Sequence, residues 1–277
     1  MPLAALLKHF DNANFRLRLI SSAVLAPLVL FAVYLGGIAY GAVVTCVMVL
    51  GLYEWLRLVA PQARPHVVGS ACALLILLLT AGLLVSVAFG AMLAVVITLI
   101  LFLISARDDQ ERAGWMALGI PYMGGSGLAL LGLRGVPDHG AMLVFYLLIA
   151  VWGTDIGAYV AGRIIGGPKL APAVSPSKTW AGLYGGVALA TILGYFAVSG
   201  LGARHPAVTL ILSPVVACVA QLGDLFESYF KRRSGVKESG DLIPGHGGIL
   251  DRIDGLVFAG VFVFLFQTAI GEKINWF

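Results

Sequence analysis

Charged residues are scarce in this chain of 277 residues. They make up 12% of the sequence, whereas 60% is hydrophobic, and the mean hydropathy is +0.95. Because a soluble domain carries about 25% charged residues, this composition excludes a soluble globular protein. It also excludes a disordered chain, which needs low hydrophobicity and high charge.

Cysteine is also rare, and its positions are informative. Cys46, Cys72 and Cys218 all lie within apolar runs, where cysteine behaves as a small buried apolar residue. This excludes a secreted disulfide scaffold, and the Cys/His spacing typical of a zinc site is absent from the sequence. The composition therefore predicts an all-α, polytopic transmembrane helix bundle.

About nine apolar stretches are long enough to cross the hydrocarbon core, which takes about 20 residues per helix. The predicted spans are 19–37, 40–59, 67–86, 88–106, 114–133, 141–161, 181–199, 207–229 and 254–271. With nine spans and a cytoplasmic N-terminus, all 18 lysines and arginines except Arg134, Arg204 and Lys273 lie on the cytoplasmic side. This agrees with the positive-inside rule. Eight spans, with the third and fourth fused at Phe89-Gly90, are the alternative.

Polar residues divide the chain into three predicted parts. Residues 1–18 mix apolar and basic side chains, which is typical of an interfacial helix or of an ordinary N-terminus. Residues 19–140 carry little charge inside their spans and are interpreted as a scaffold. Residues 141–277 hold most of the intramembrane polar groups, together with two polar loops, 162–180 and 231–252, on the predicted cytoplasmic side.

Acidic residues within spans point to a functional site, because a charge at mid-bilayer costs about 2.5–3.5 kcal/mol. The acids concerned are Asp155, Asp224, Glu227 and Asp254. On the span at 207–229, a polar stripe formed by Gln221, Asp224, Ser228 and Lys231 follows one helix face. It predicts the wall of a water-filled cleft, with a polar seam between helices as the alternative. Helical spacing also predicts pairing of Glu227 with Lys231, and of Glu54 with Arg57.

The loop after this stripe combines cations, glycines and carboxylates. Lys231, Arg232, Arg233 and Lys237 fall within seven positions, and Pro-Gly-His-Gly-Gly follows at 244–248. Glycine-rich backbone before a helix is suited to binding anions, and Asp251 and Asp254 begin the next span. Oxygen ligands of this kind suit Mg²⁺. The combination predicts phosphoryl or nucleotidyl transfer.

Two further elements are open to more than one interpretation. His246 is either a general acid/base, a phosphate donor or a residue with a structural hydrogen bond. In the 162–180 loop, Ser175, Lys178 and Thr179 are candidate phosphate ligands. The alternative there is a simple turn with a lysine extending to the membrane surface.

The run from Ser228 to Asp254 resembles the C-terminal signature of phosphatidate cytidylyltransferases (CDP-diacylglycerol synthases). The matching residues are Ser228, Phe230, Lys231, Arg232, Lys237, Pro244, His246, Gly247, Gly248, Asp251, Arg252 and Asp254. An upstream run from Asp155 to Thr179 is similar to the same family. Ala181 departs from the pattern, since the family has glutamate there.

The resemblance implies a reaction of CTP with phosphatidate that gives CDP-diacylglycerol and pyrophosphate. It implies Mg²⁺, and leaves open a second cation, with Asp224, Asp251 and Asp254 as metal ligands. Asp224, Lys231, Asp251 and His246 are the expected catalytic residues. The expected substrate-binding residues are Ser175, Lys178, Ser228, Arg232, Lys237, Arg252 and Asp155.

The bacterial type of N-terminus predicts a multi-pass protein of the inner membrane, and the basic residues of the two polar loops predict an active site that faces the cytoplasm. The family resemblance is compatible with a homodimer, and we expect no nucleic-acid partner. Three alternatives remain: a CTP-dependent enzyme acting on another lipid phosphate or alcohol, an ion-coupled transporter, and a non-catalytic family member, to which Ala181 points.

Overall fold

The fold is a bundle of apolar helices with one short hairpin. In a computed structural model, which describes residues 13–243, 245 and 247–277, the helices are α1 Ala13–Leu35, α2 Gly37–Val59, α3 Pro65–Leu84, α4 Val87–Asp108, α5 Ala113–Gly119, α6 Gly125–Arg134, α7 Gly140–Ile164, α8 Trp180–Gly200, α9 Thr209–Arg233, α10 Leu250–Phe266 and α11 Glu272–Ile274. π-Helical turns at Ile120–Gly124 and Gln267–Gly271 join α5 to α6 and α10 to α11. The hairpin strands are β1 Lys169–Ala171 and β2 Ser175–Thr179.

Eight stretches of the described residues are long and apolar enough to cross a membrane. They are Gly37–Val59, Pro65–Leu84, Val87–Asp108, Ala113–Arg134, Gly140–Ile164, Trp180–Gly200, Pro206–Arg233 and Leu250–Ile274. Each corresponds to one of the last eight spans predicted from the sequence. The all-α polytopic prediction is therefore confirmed.

The first predicted span, 19–37, falls largely on α1. Within the described residues, the apolar part of this helix is Ala23–Leu35, which is shorter than a full span, so the ninth crossing stays a prediction. Of the predicted interfacial segment 1–18, residues 1–12 lie outside the described residues. Residues 13–18 form the start of α1.

The third and fourth spans are separate helices. α3 ends at Leu84, and α4 begins at Val87 after Ser86, whose Oγ accepts a hydrogen bond of 3.1 Å from the Phe89 amide. Serine is a preferred N-cap residue because its side chain satisfies an amide that the helix leaves free. The alternative of eight spans, in which the third and fourth are fused at Phe89-Gly90, is therefore wrong.

Helices α7 and α8 pack backbone to backbone, as the GxxxG step at Gly153 and Gly157 predicts. A Cβ atom at Gly157 would overlap the carbonyl of Gly185 on α8. One at Gly186 would lie 2.8 Å from the carbonyl oxygen of Thr154. Only residues without side chains allow this approach, which brings Asp155 of α7 next to the start of α8.

The 162–180 loop contains a hairpin that the sequence did not predict. β1 and β2 are antiparallel, with Lys169 opposite Thr179 and Ala171 opposite Ser175. Prolines and glycines excluded a helix here, but strands of three and five residues are too short to give a periodic pattern. The hairpin leads directly into α8, whose N-cap is Thr179: its Oγ1 accepts a hydrogen bond of 3.0 Å from the Gly182 amide.

An aromatic cluster joins the first half of the bundle to the second. Trp55 of α2 is fully buried, and its ring centroid lies 5.0 Å from Tyr122, 4.7 Å from Phe230 and 6.0 Å from Phe226. Its indole Nε1 donates a hydrogen bond of 2.9 Å to the carbonyl of Trp115. These contacts hold α9 rigidly against the first half of the bundle.

Candidate active site

The two polar loops lie at the same end of the bundle. The Nε atom of Arg232, at the end of α9, donates a hydrogen bond of 3.2 Å to the carbonyl of Val174, in the hairpin turn. This contact, together with the ion pair described next, brings the hairpin and α9 together. The candidate site residues are therefore drawn from segments that are far apart in sequence.

A first ion pair joins the hairpin to α9. The Nζ atom of Lys178 lies 2.7 Å from Oδ2 of Asp224, and both side chains are largely shielded from solvent. The other carboxylate oxygen, Oδ1, accepts a hydrogen bond of 3.1 Å from the Ser228 hydroxyl one helical turn later. Asp224 is thus held at both oxygens, and Lys178 is fixed at the end of β2.

This pair borders a cavity of about 400 Å³ between α7, α8 and α9. Its lining residues include Asp155, Tyr159, Lys178, Gln221 and Asp224. Gln221 and Asp224 of the predicted polar stripe line this cavity, whereas Ser228 and Lys231 are buried in polar contacts, as the alternative of a polar seam between helices predicts. Asp155 lies within electrostatic range of Asp224, Lys178 and Arg252.

A second ion pair lies further along α9. The Nζ atom of Lys231 donates a hydrogen bond of 2.7 Å to Oδ1 of Asp251, in the first turn of α10. The same ammonium group forms an ion pair with Glu227, whose side chain is fully buried. The predicted pairing of Glu227 with Lys231 is confirmed, and Lys231 is held between two carboxylates.

The second oxygen of Asp251 organises the loop that precedes α10. Its Oδ2 accepts hydrogen bonds of 3.0 Å from the amide of Ser239, the hydroxyl of Ser239 and the amide of Gly248. Both oxygens of this carboxylate are therefore engaged, one by Lys231 and the other by the loop. Gly247, next to this contact, has a φ of +79°, a conformation that favours glycine.

Glu54 belongs to this site as well, and its predicted pairing with Arg57 is wrong. The two oxygens of this buried carboxylate accept hydrogen bonds from the amides of Ile249, at 3.0 Å, and Leu250, at 2.7 Å. Arg57 instead contacts the Tyr53 hydroxyl and the Pro61 carbonyl. No local pattern in the sequence indicates this contact, because Glu54 lies about 195 residues from these two partners.

The three predicted metal ligands offer oxygen donors of the kind that Mg²⁺ prefers. In this arrangement, however, the oxygens of Asp224 and Asp251 are engaged by lysines and hydrogen-bond donors. Oδ1 of Asp254 accepts from the Gly255 amide. No group of three or more His, Cys, Asp or Glu side chains among the described residues is arranged to hold a metal. Mg²⁺ sites commonly combine one or two carboxylates with substrate phosphates, so the donors fit, and the metal assignment stays a prediction.

The remaining predicted site residues lie around this core. Ser175 is half-buried in β2, and Arg232, Lys237 and Arg252 are exposed at the loop face. The Lys237 side chain makes no hydrogen bond or ion pair within the described part of the chain. His246 lies outside the described residues. Thr179, a candidate phosphate ligand, is instead occupied as the N-cap of α8.

The arrangement is suited to binding phosphates. Lys178 and Lys231 are each fixed by a carboxylate, and both pairs include a residue of α9, with Asp224 and Lys231 two helical turns apart on one face. Lys178 also lines the cavity, and fixed cations can hold polyanions close together without reorganising.

A model of the cytidylyltransferase family matches residues 16–270 of this sequence. The match covers nearly the whole bundle, including both ion pairs. The chain belongs to the cytidylyltransferase family.

Individual relatives in this family agree with that assignment. The phosphatidate cytidylyltransferase of Brucella suis is 37% identical over 264 residues, covering 94% of this chain and 96% of the relative. That of Pseudomonas aeruginosa is 34% identical, covering 87% and 93%. That of Haemophilus influenzae is 48% identical over 128 residues, or 44% of each chain. A cytidylyltransferase is therefore favoured over an ion-coupled transporter.

Proposed function

We propose that this member of the cytidylyltransferase family converts CTP and phosphatidate to CDP-diacylglycerol and pyrophosphate in phospholipid biosynthesis. The observation that carries this proposal is the presence of two ion pairs that both involve α9. Lys178–Asp224 lines a cavity within the bundle, and Lys231–Asp251 lies further along the helix. The names of relatives that align over most of the chain support the choice of substrates.

The reaction requires two anions, phosphatidate and CTP, to bind close together. A phosphate oxygen of phosphatidate attacks the α-phosphorus of CTP, and a new P–O bond forms. The bond from that phosphorus to the bridging oxygen breaks, and pyrophosphate leaves with the electron pair. The nucleophile is already anionic, so positioning and charge compensation are the main tasks of the protein.

Lysines held by partly buried carboxylates are suited to those tasks. The carboxylates of Asp224 and Asp251 fix the two ammonium groups before substrate binds, so little ordering is needed when the phosphates arrive. Arg232, Lys237 and Arg252, exposed at the loop face, add positive charge at the same end of the bundle. The cavity between α7, α8 and α9 lies within the bundle, and a lipid headgroup would enter it from the bilayer.

A magnesium ion is the cofactor that we propose for this site. Asp224 and Asp251, with Asp254 nearby on α10, would hold it, and it would supply further positive charge to the reacting phosphates. Removal of divalent cations with a chelator should abolish turnover, and added Mg²⁺ should restore it. Full activity in a chelated sample, with a metal content below the enzyme concentration, would contradict the metal assignment.

Membrane orientation is inferred from the basic residues. The site lies at the end of the bundle that carries most lysines and arginines, which the positive-inside rule assigns to the cytoplasm. The relatives are bacterial, so we infer an inner-membrane location with the site facing the cytoplasm. The homodimer implied by the family resemblance stays a prediction.

The direct test uses purified protein in detergent, CTP labelled in the α-phosphate, and Mg²⁺. With phosphatidate, we expect labelled CDP-diacylglycerol and one pyrophosphate per product. Parallel reactions with a prenyl phosphate and with diacylglycerol test the related lipid phosphates and alcohols. Product from the prenyl phosphate or from diacylglycerol, with none from phosphatidate, would assign the enzyme to another lipid substrate. No product from any of the three lipids, with folding intact, would contradict the proposed function.

A further inference from the structure

Glu54 connects the scaffold to the active-site loop through three hydrogen bonds. It lies on α2 and is 2% exposed. Its carboxylate accepts from the amides of Ile249 and Leu250, and from the hydroxyl of Ser239 at 3.1 Å. Arg57, the basic residue one turn later, plays no part in this contact. Among the described residues, the close polar partners of this buried, charged side chain therefore all lie in the segment 239–250.

The backbone groups it binds are the ones that a helix leaves free. The first amides of α10 have no partner within the helix, and a negative charge beside them is favoured by the helix dipole. Hydrogen bonds to a charged acceptor are stronger than those between neutral groups. The carboxylate of Glu54 thus fixes where α10 begins, and Asp251 is the second residue of that helix.

Ser239 links Glu54 to Asp251 directly. Its hydroxyl lies 3.1 Å from Oε2 of Glu54 and 3.0 Å from Oδ2 of Asp251. A hydroxyl has one hydrogen to donate, so the two carboxylates share a single donor. A change at either acid will alter the hydrogen bond available to the other.

Two glycines enclose the Glu54 carboxylate. A Cβ atom at Gly240 would lie 2.6 Å from its Oε1, and one at Gly248 would lie 2.5 Å from its Oε2. A real Cβ does not approach an oxygen so closely, so the loop backbone can pack onto this carboxylate only where it lacks side chains. The fit leaves little freedom for the loop to settle elsewhere.

We propose that Glu54 is a positioning residue for the nucleotidyl-transfer reaction. It sets the position of Asp251, and through Asp251 that of Lys231, by holding the loop and the first turn of α10 against the scaffold. The inference rests on the proposed function only for its activity readout. The position of the loop can be measured without substrate.

The test substitutes Glu54→Gln, which keeps the size of the side chain but replaces one acceptor oxygen with a donor group. The matched control is Tyr40→Phe on the same helix, which removes a buried hydrogen bond of 3.2 Å to the Leu130 carbonyl, far from the loop. We expect E54Q to lower kcat by about 10- to 100-fold, since misplacement of a catalytic group by about 1 Å can cost that much. KM for CTP should change less, and Y40F should keep the wild-type kcat.

Hydrogen–deuterium exchange supplies the second readout. In E54Q, the amides of peptides covering 239–252 should exchange faster, whereas peptides from α7 and α8 should be unchanged. A variant with wild-type kcat, or with unchanged exchange in 239–252, would overturn the proposal. A kcat loss explained wholly by a smaller folded fraction would do the same.

Ser239→Ala serves if E54Q does not fold. It leaves the Glu54 contacts to Ile249 and Leu250 in place and removes only the shared hydroxyl, so folding should be retained. We expect a several-fold loss of kcat, and wild-type kcat would contradict the link to Asp251. If the wild-type protein itself is inactive, the proposed function fails, and the exchange measurement on E54Q still decides whether Glu54 holds the loop.

Discussion

The scaffold, residues 19–140, and the region of residues 141–277 differ in where their charges lie and in how they use them. The second region provides both lysine–aspartate pairs and the cavity. The scaffold provides Glu54 and Trp55, adjacent residues of α2 that contact the loop and α9. The lysine–aspartate pairs therefore lie in the second region, and residues of the scaffold contact the segments that carry them.

Helices within the scaffold also differ from one another. In its most apolar window, 17% of α4 is buried within the protein, whereas 44% of α2 is. α4 thus presents most of its surface to lipid, and α2 is packed between the outer helices and the site. The division at residue 140 stays a prediction about function, and substitutions in each region will test it.

The largest effect is expected from Asp251→Asn in the second region. The change removes the charge that fixes Lys231 and weakens the acceptor for Ser239 and Gly248, so we expect kcat to fall by about 100-fold or more. The control is Asp109→Asn, which affects an exposed carboxylate paired with Arg112 outside the site. Measured turnover near the wild-type value in D251N would end the assignment of this carboxylate to catalysis.

A smaller but clear loss is expected from Lys178→Met. The variant leaves Asp224 without its ion-pair partner and removes a fixed cation from the cavity, and we expect kcat/KM to fall by about 10- to 100-fold. Lys169→Met, an exposed lysine of the same hairpin, is the matched control. Equal losses in both variants would show that the hairpin contributes only general positive charge.

The smallest effect on turnover is expected in the scaffold core. Leu79 is fully buried and packs near Gly127, so Leu79→Ala should lower the free energy of unfolding by about 2–5 kcal/mol. The kcat per folded molecule should stay close to the wild-type value. Leu99→Ala, at a position that is 58% exposed, should change neither quantity. A selective loss of kcat in L79A would extend the catalytic machinery into the scaffold.

The helices could be predicted from the sequence because the length of an apolar run is a local property. The eight confirmed spans follow directly from such runs, and Gly153 and Gly157 indicated a close helix contact that α7 and α8 do make. The pairing of Glu227 with Lys231 was also predictable, since both residues lie on one helix at a spacing of four.

Contacts between distant segments could not be predicted in this way. Lys178 and Asp224 were both identified as site residues, but their direct pairing depends on how the hairpin folds over α9. For Glu54, local spacing predicts an ion pair with the nearest basic residue, Arg57, and this prediction is wrong. The carboxylate of Glu54 instead accepts hydrogen bonds from backbone amides at the start of α10. Because every residue except proline has such an amide, the sequence contains no pattern that would identify these partners.

The absence of a side chain at Gly248 has an evolutionary consequence. Any larger residue there would strike both the Ser239 hydroxyl and the Glu54 carboxylate. The second glycine of the His-Gly-Gly sequence is therefore required by an acid almost two hundred positions earlier, not by the substrate alone. Among homologous sequences, positions 54 and 248 should change together: where the acid is replaced by a small residue, the glycine is free to vary.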